Sequence, residues 1–86
     1  MPSLYAVALG GNQTGSRLGE DHEVVFVVAG DEAEARAKAK TKWSGRTTAG
    51  LHIDSLAAVD VVDGFRIKLT PDGGGDCISV NQNSSA

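Results

Sequence analysis

The chain has 86 residues, eleven acidic against eight basic, a net charge of -3 and one cysteine. A domain of that size buries only about 60 to 65% of its unfolded surface, and the lone Cys77 excludes an internal disulfide, so assembly is the favoured source of added stability. The acidic balance excludes a nucleic-acid partner from the first rank. The longest apolar run, Val24 to Ala29, falls far short of the roughly 20 residues that span a bilayer, and no basic, apolar leader opens the chain.

Ser3 to Leu9 predicts a strand, with Leu4, Ala6 and Ala8 on one face and Tyr5, Val7 and Leu9 on the other. Gly10-Gly11 is expected to close it with a sharp positive-φ turn into a long loop ending at His22. The Gly10 to Gly19 run lacks the Gly-Lys-Ser/Thr ending and the G-x-G-x-x-G spacing, and it leads into acidic residues. It therefore does not predict a nucleotide site, though Arg17 with backbone N–H groups could hold a small anion weakly. Glu23 to Ala29 is the strongest strand, since Val24, Val25, Val27 and Val28 surround Phe26. Both of its faces, Val24/Phe26/Val28 and Val25/Val27, are apolar. A sheet with one wet face alternates apolar with polar, so these two strands call for cover on both sides.

Asp31 to about Ser44 predicts the one helix. Asp31 caps it, Glu34 stands at the third helical position, Glu32/Arg36 and Glu34/Lys38 are i,i+4 pairs, and Gly45 is the expected stop. Its apolar face is Ala35, Ala39 and Trp43. A helix of about 14 residues is roughly 21 Å long and covers one sheet face only.

After the polar linker Arg46 to Gly50 come the segment Leu51 to Ser55 and a strand predicted over Leu56 to Val62. Asp63-Gly64 is a two-residue hairpin signal, and Phe65, Ile67 and Leu69 alternate with Arg66 and Lys68, which predicts a hairpin with a wet face. Thr70 to Gly75 breaks the pattern, Cys77 to Val80 offers an optional fifth strand, and Asn81 to Ala86 is a polar, frayed tail. The expected architecture is a single α+β domain over residues 1–80. It is a two-layer β-β-α-β-β unit, a mostly antiparallel sheet with one helix on one face, and a second subunit on the other.

Five segments stand in register along the chain: Leu4 to Gly11, Glu20 to Val28, Lys42 to Gly45, Leu51 to Ser55, and Val61 to Phe65. Together they resemble a bacterial family of uncharacterised small proteins, the domain of unknown function DUF1543, over about residues 4–69. The resemblance implies no activity and no catalytic residues. It implies that some members carry two copies of this unit in one chain, which agrees with a dimer of single copies. Asp21 stands where an apolar residue is expected, and Ser79 to Asn83 matches the second Gly-Gly strand of the two-copy members only loosely.

His52 and Asp54 are two residues apart, so in an extended segment they point the same way with Ile53 opposite. A carboxylate beside an imidazole orients it as a base or adds a metal ligand; the plainer alternative is a histidine bonded to backbone at a strand start, with Asp54 or Ser55 closing a turn. His22 sits among Glu20, Asp21 and Glu23. With His52 and Asp54 it would complete a two-histidine, one-carboxylate set, provided the loop and the linker meet. Trp43 is either the main core anchor or a pocket wall beside His52. Cys77 lacks a basic neighbour to activate it, and Asp60 most simply faces water. Asn12-Gln13-Thr14 and Asn83-Ser84-Ser85 match the glycosylation pattern, which has no force without secretion.

These readings lead to a cytoplasmic homodimeric binding or interaction module without catalytic residues, metal or cofactor, and without nucleic-acid or membrane partners. The alternative is a small enzyme, or a metal- or ligand-binding protein, with a cleft near His22, His52 and Asp54. The candidate residues for a small-molecule ligand are His22, Trp43, His52 and Asp54.

Overall fold

The computed structural model describes residues 1–12 and 20–78. Arg17, the Ser79–Val80 end of the expected fifth strand, and the tail from Asn81 lie outside the described residues. The elements run β1 (Ser3–Gly11), β2 (Asp21–Ala29), α1 (Glu32–Thr41), β3 (His52–Ala58), β4 (Val61–Val62) and β5 (Phe65–Arg66). All strand pairings are antiparallel, and β1 is central in a sheet of order β2-β1-β3. With one helix on one face, the architecture is the expected α+β one.

Register decides which side chains share a face. Tyr5 stands opposite Val27 and Ala58, and Val7 opposite Val25 and Leu56. This face receives α1, and here the core forms from Tyr5, Val7, Leu9, Val27, Ala29, Ala35, Ala39 and Trp43. Ala35 and Ala39 are small enough to bring the helix close to the sheet, and both are fully buried. On the other face Ala6 stands between Phe26 and Ala57, and Ala8 between Val24 and Ser55. Among the described residues no helix or strand covers that face, and the irregular Asp76–Ile78 segment borders it beside Leu4, Phe26 and Val28.

The helix starts where its cap predicts. Asp31 is extended, and its carboxylate accepts from the Glu34 N–H at 2.8 Å. Glu34 returns the contact one residue earlier than a standard capping box, accepting from the Gly30 N–H at 2.6 Å. The helix ends sooner than expected, at Thr41 with Lys42 as its cap, so Gly45 is not the stop. Trp43 lies beyond the helix. Its indole N–H donates to the Thr47 carbonyl at 2.9 Å, tying the linker over the core. Lys38 and Lys42 reach from α1 to the free edge of β2, donating to the Val28 and Phe26 carbonyls at 2.6 Å each. Lysines on an edge oppose the addition of another strand there.

Three strand boundaries differ from the expectation. Gly10 and Gly11 continue β1 instead of turning, and neither has a positive φ. The segment His52 to Ser55 is itself the first part of β3, which ends at Ala58 instead of running from Leu56 to Val62. Ser55 pairs with Ala8 and Ile53 with Leu9, so Asp54 is the extra residue of a bulge. The hairpin forms at its expected turn, with φ 52 at Asp63 and 82 at Gly64, the left-handed pair of a type I′ turn. It does not join the sheet: β4 and β5 pair only with each other, and both faces of the ribbon are exposed, not one. Cys77 and Ile78 belong to no strand, and Cys77 is free and exposed.

Candidate functional site

Gly10 is the residue on which the candidate site is built. On the open face it stands between His22 of β2 and His52 of β3, one on each side of the central strand. Without a side chain at Gly10, the His52 imidazole and the Asp54 and Glu20 carboxylates can lean inward. A Cβ there would lie 2.6 Å from His52 Nε2 and 3.0 Å from both Asp54 Oδ2 and Glu20 Oε1. This glycine therefore serves close approach, not a turn. The bulge at Asp54 places its carboxylate between the two rings.

The four side chains form a ring of polar groups joined by three close contacts. His22 Nδ1 is 3.0 Å from Asp54 Oδ2, and His52 Nε2 is 2.9 Å from Asp54 Oδ1 and 2.9 Å from Glu20 Oε1. The last side, His22 Nε2 to Glu20 Oε2, is open at 4.0 Å. His52 Nδ1 is 2.8 Å from the Gly50 carbonyl, to which it can only donate. With Nδ1 so committed, Nε2 meets two carboxylates favourably only if it too carries a proton. The His52 pKa is accordingly raised above its ordinary value of 6.5, first by the Gly50 carbonyl and then by the Asp54 and Glu20 charges, with partial desolvation opposing. His22 donates from Nδ1 to Asp54. An imidazole held by a carboxylate in this way is oriented as a base.

The pleat divides the acidic run around His22. Glu20 and His22 serve the ring, whereas Glu23 lies on the helix side, accepting from Ser44 N at 3.0 Å and Ser44 Oγ at 2.8 Å. Of the sequence candidates, His22, His52 and Asp54 come together. Trp43 does not join them: it is buried behind the sheet, with its ring against the Gly11 position. Glu20 completes the set. Its signal was the period-two spacing to His22, which puts both side chains on one face of an extended segment.

The ring is a surface array of exposed side chains. Two grooves among the described residues lie elsewhere, one of about 540 Å³ beside Leu4, Phe26, Val28, Lys42 and Cys77, and one of about 500 Å³ between Met1–Leu4 and Arg66–Leu69. Among the described residues no group of three or more His, Cys, Asp or Glu side chains is arranged to hold a metal ion. The ring donors are satisfied by one another instead. Among the same residues no helix is long and apolar enough to cross a membrane.

The family model "Domain of Unknown Function (DUF1543)" matches residues 17–69. Among solved structures, the crystal structure of a protein Il1583 from Idiomarina loihiensis is similar, with 35% sequence identity and a TM-score of 0.73. The match covers 87% of this chain and 50% of that one, so the chain spans about half the length of the protein it resembles. No functionally curated protein matches the chain.

Proposed function

The chain belongs to the DUF1543 family, and from that premise we propose that it is a homodimeric, non-catalytic binding module whose open sheet face seats a second copy. The observation that carries this is a row of large apolar side chains on one face of β2. Val24 is 62% exposed, Phe26 48% and Val28 40%, with half-buried Leu4, Ala6 and Ala8 beside them. Burying side chains of this kind is worth about 1.5–3 kcal/mol each before the entropy of association is subtracted. A protein this small has no further helix among its described residues to cover the row. The half-length match to the Idiomarina protein supports the same reading, since a second copy would bring in trans as much chain as the longer protein has in cis. A bacterial, cytoplasmic setting belongs to this proposal.

Sedimentation velocity at micromolar concentration tests it. The expected species is a dimer, and Phe26→Asp is expected to give a folded monomer with an unchanged circular dichroism spectrum. A monomer for the unchanged protein overturns the proposal.

The convergence of His22, His52, Asp54 and Glu20 favours a second reading, a small-ligand or metal-binding site at the ring. A ligand there would have to displace hydrogen bonds that the four groups now make with one another. Elemental analysis after purification in metal-free buffer, with a thermal-shift panel and His52→Ala as control, decides it. If neither metal nor ligand-induced stabilisation is found, this reading fails.

A further inference from the structure

The β4–β5 ribbon is the least explained part of the molecule. It touches no other element, and Phe65 is 74% exposed with Val61 and Val62 also in water. A lone two-stranded hairpin is marginal in water, and this one carries no apolar packing to offset that. Its turn, however, is strongly specified by Asp63-Gly64.

We infer that in the dimer the ribbon of one copy lies against the Gly10 end of the second copy's open face, where Arg66 meets the Glu20 and Asp54 carboxylates. The inference rests on the dimer reading and adds the contact that orients it. Its first support is placement. The ribbon leaves the sheet after Ala58, where the Val59 N–H donates to the Leu4 carbonyl at 2.8 Å, so it starts from the Ser3 end of β1. The ring stands at the opposite end, over Gly10. Two copies stacked face to face about a two-fold axis, with their central strands running in opposite directions, bring the Ser3 end of each to the Gly10 end of the other.

The second support is charge. The ring brings the Glu20 and Asp54 carboxylates together at the open face, where an exposed cation can reach both. Arg66 is the one cation of the paired ribbon strands, with Asp60 at the base and Asp63 at the tip. It is exposed, and its guanidinium matches a carboxylate pair in geometry. The same placement lays Phe65 toward the partner's apolar row. Lys38 and Lys42, the other cations near that face, already serve the β2 edge, and Lys42 also pairs with Asp76 at 2.9 Å.

Charge reversal in trans tests this. Arg66→Glu and Glu20→Lys should each raise the dimer dissociation constant roughly tenfold or more, without altering circular dichroism. An equimolar mixture of the two variants should restore dimerisation. In the mixed dimer one contact joins the introduced glutamate to the introduced lysine, and the other keeps the original Arg66 opposite the original Glu20. If the unchanged protein dimerises but both variants do so within twofold of it, the assignment of the arm is wrong and the dimer reading survives. If the unchanged protein is monomeric, the dimer reading itself fails. Restoration in a double variant but not in the mixture would place the pair within one copy, which also overturns the inference.

Discussion

The two faces of the central sheet are made of similar residues and have opposite fates. Toward α1, Tyr5, Val7, Leu9 and Val27 are buried; away from it, Val24, Phe26 and Val28 stand in water. Residue type does not separate them along β1 and β2, which are apolar on both sides. The difference is set by the number of lids, one short helix for two greasy faces. The uncovered face also ends in the polar ring at Gly10, so the exposed apolar row and the cluster of titratable groups are continuous.

The largest effect should come from testing the two faces against each other. Leu9 is fully buried and its removal leaves a cavity, so Leu9→Ala is expected to lower unfolding free energy by about 2–5 kcal/mol. Phe26→Ser, on the other face, should change the stability of the dilute monomer by only about 0.5 kcal/mol. Urea unfolding of both at low concentration checks this. If Phe26→Ser costs as much as Leu9→Ala under those conditions, the open face is not open in the monomer.

The covered face was legible in the sequence, and so was the bareness of the other. Asp31 with Glu34 marked the helix start, and Asp63-Gly64 marked the hairpin turn. The helix end was misjudged because Gly45 outweighed Lys42, where the chain turns so that Trp43 can bond Thr47. Gly10-Gly11 suggested a turn because glycine pairs usually signal one. In fact Gly10 gives room to Glu20, His52 and Asp54, a reason that only the strand register reveals. The same blindness to register hid the bulge that lets Asp54 face both histidines, and it assigned the second hairpin a dry face that it lacks. His22, His52 and Asp54 were identifiable by type, but nothing in their spacing fixed the meeting of loop and linker.

Gly10→Ala sharpens the comparison at the ring itself. The new methyl would clash with His52 Nε2 and press on Asp54 and Glu20, all of them exposed side chains able to swing away. The expected loss is modest, about 1 kcal/mol, with the histidine resonances shifted in NMR spectra while the core amides stay in place. By contrast, a methyl at Gly11 would meet the buried Trp43 ring at 3.0 Å, on the covered face where nothing can swing out, and Gly11→Ala should cost more.

The smallest effect is the pH dependence, and its sign follows from the ring. The folded protein holds the His52 proton more tightly than the unfolded chain does, so its pKa lies above 6.5. The stabilisation this provides is complete below pH 6.5 and is lost as the pH rises through the raised folded value. Because His52 is exposed, the change is small, and it should appear as a slight fall in the urea midpoint as the pH rises above about 6.5. His52→Gln keeps a donor but cannot titrate, so it should flatten that slope. Gly10→Ala should flatten it only in part, since it drives Nε2 away from the two carboxylates but leaves the Gly50 carbonyl, the largest cause of the raised pKa. A slope that persists undiminished in both variants would mean that the proton is held elsewhere, and the ring would then be only a set of neighbours.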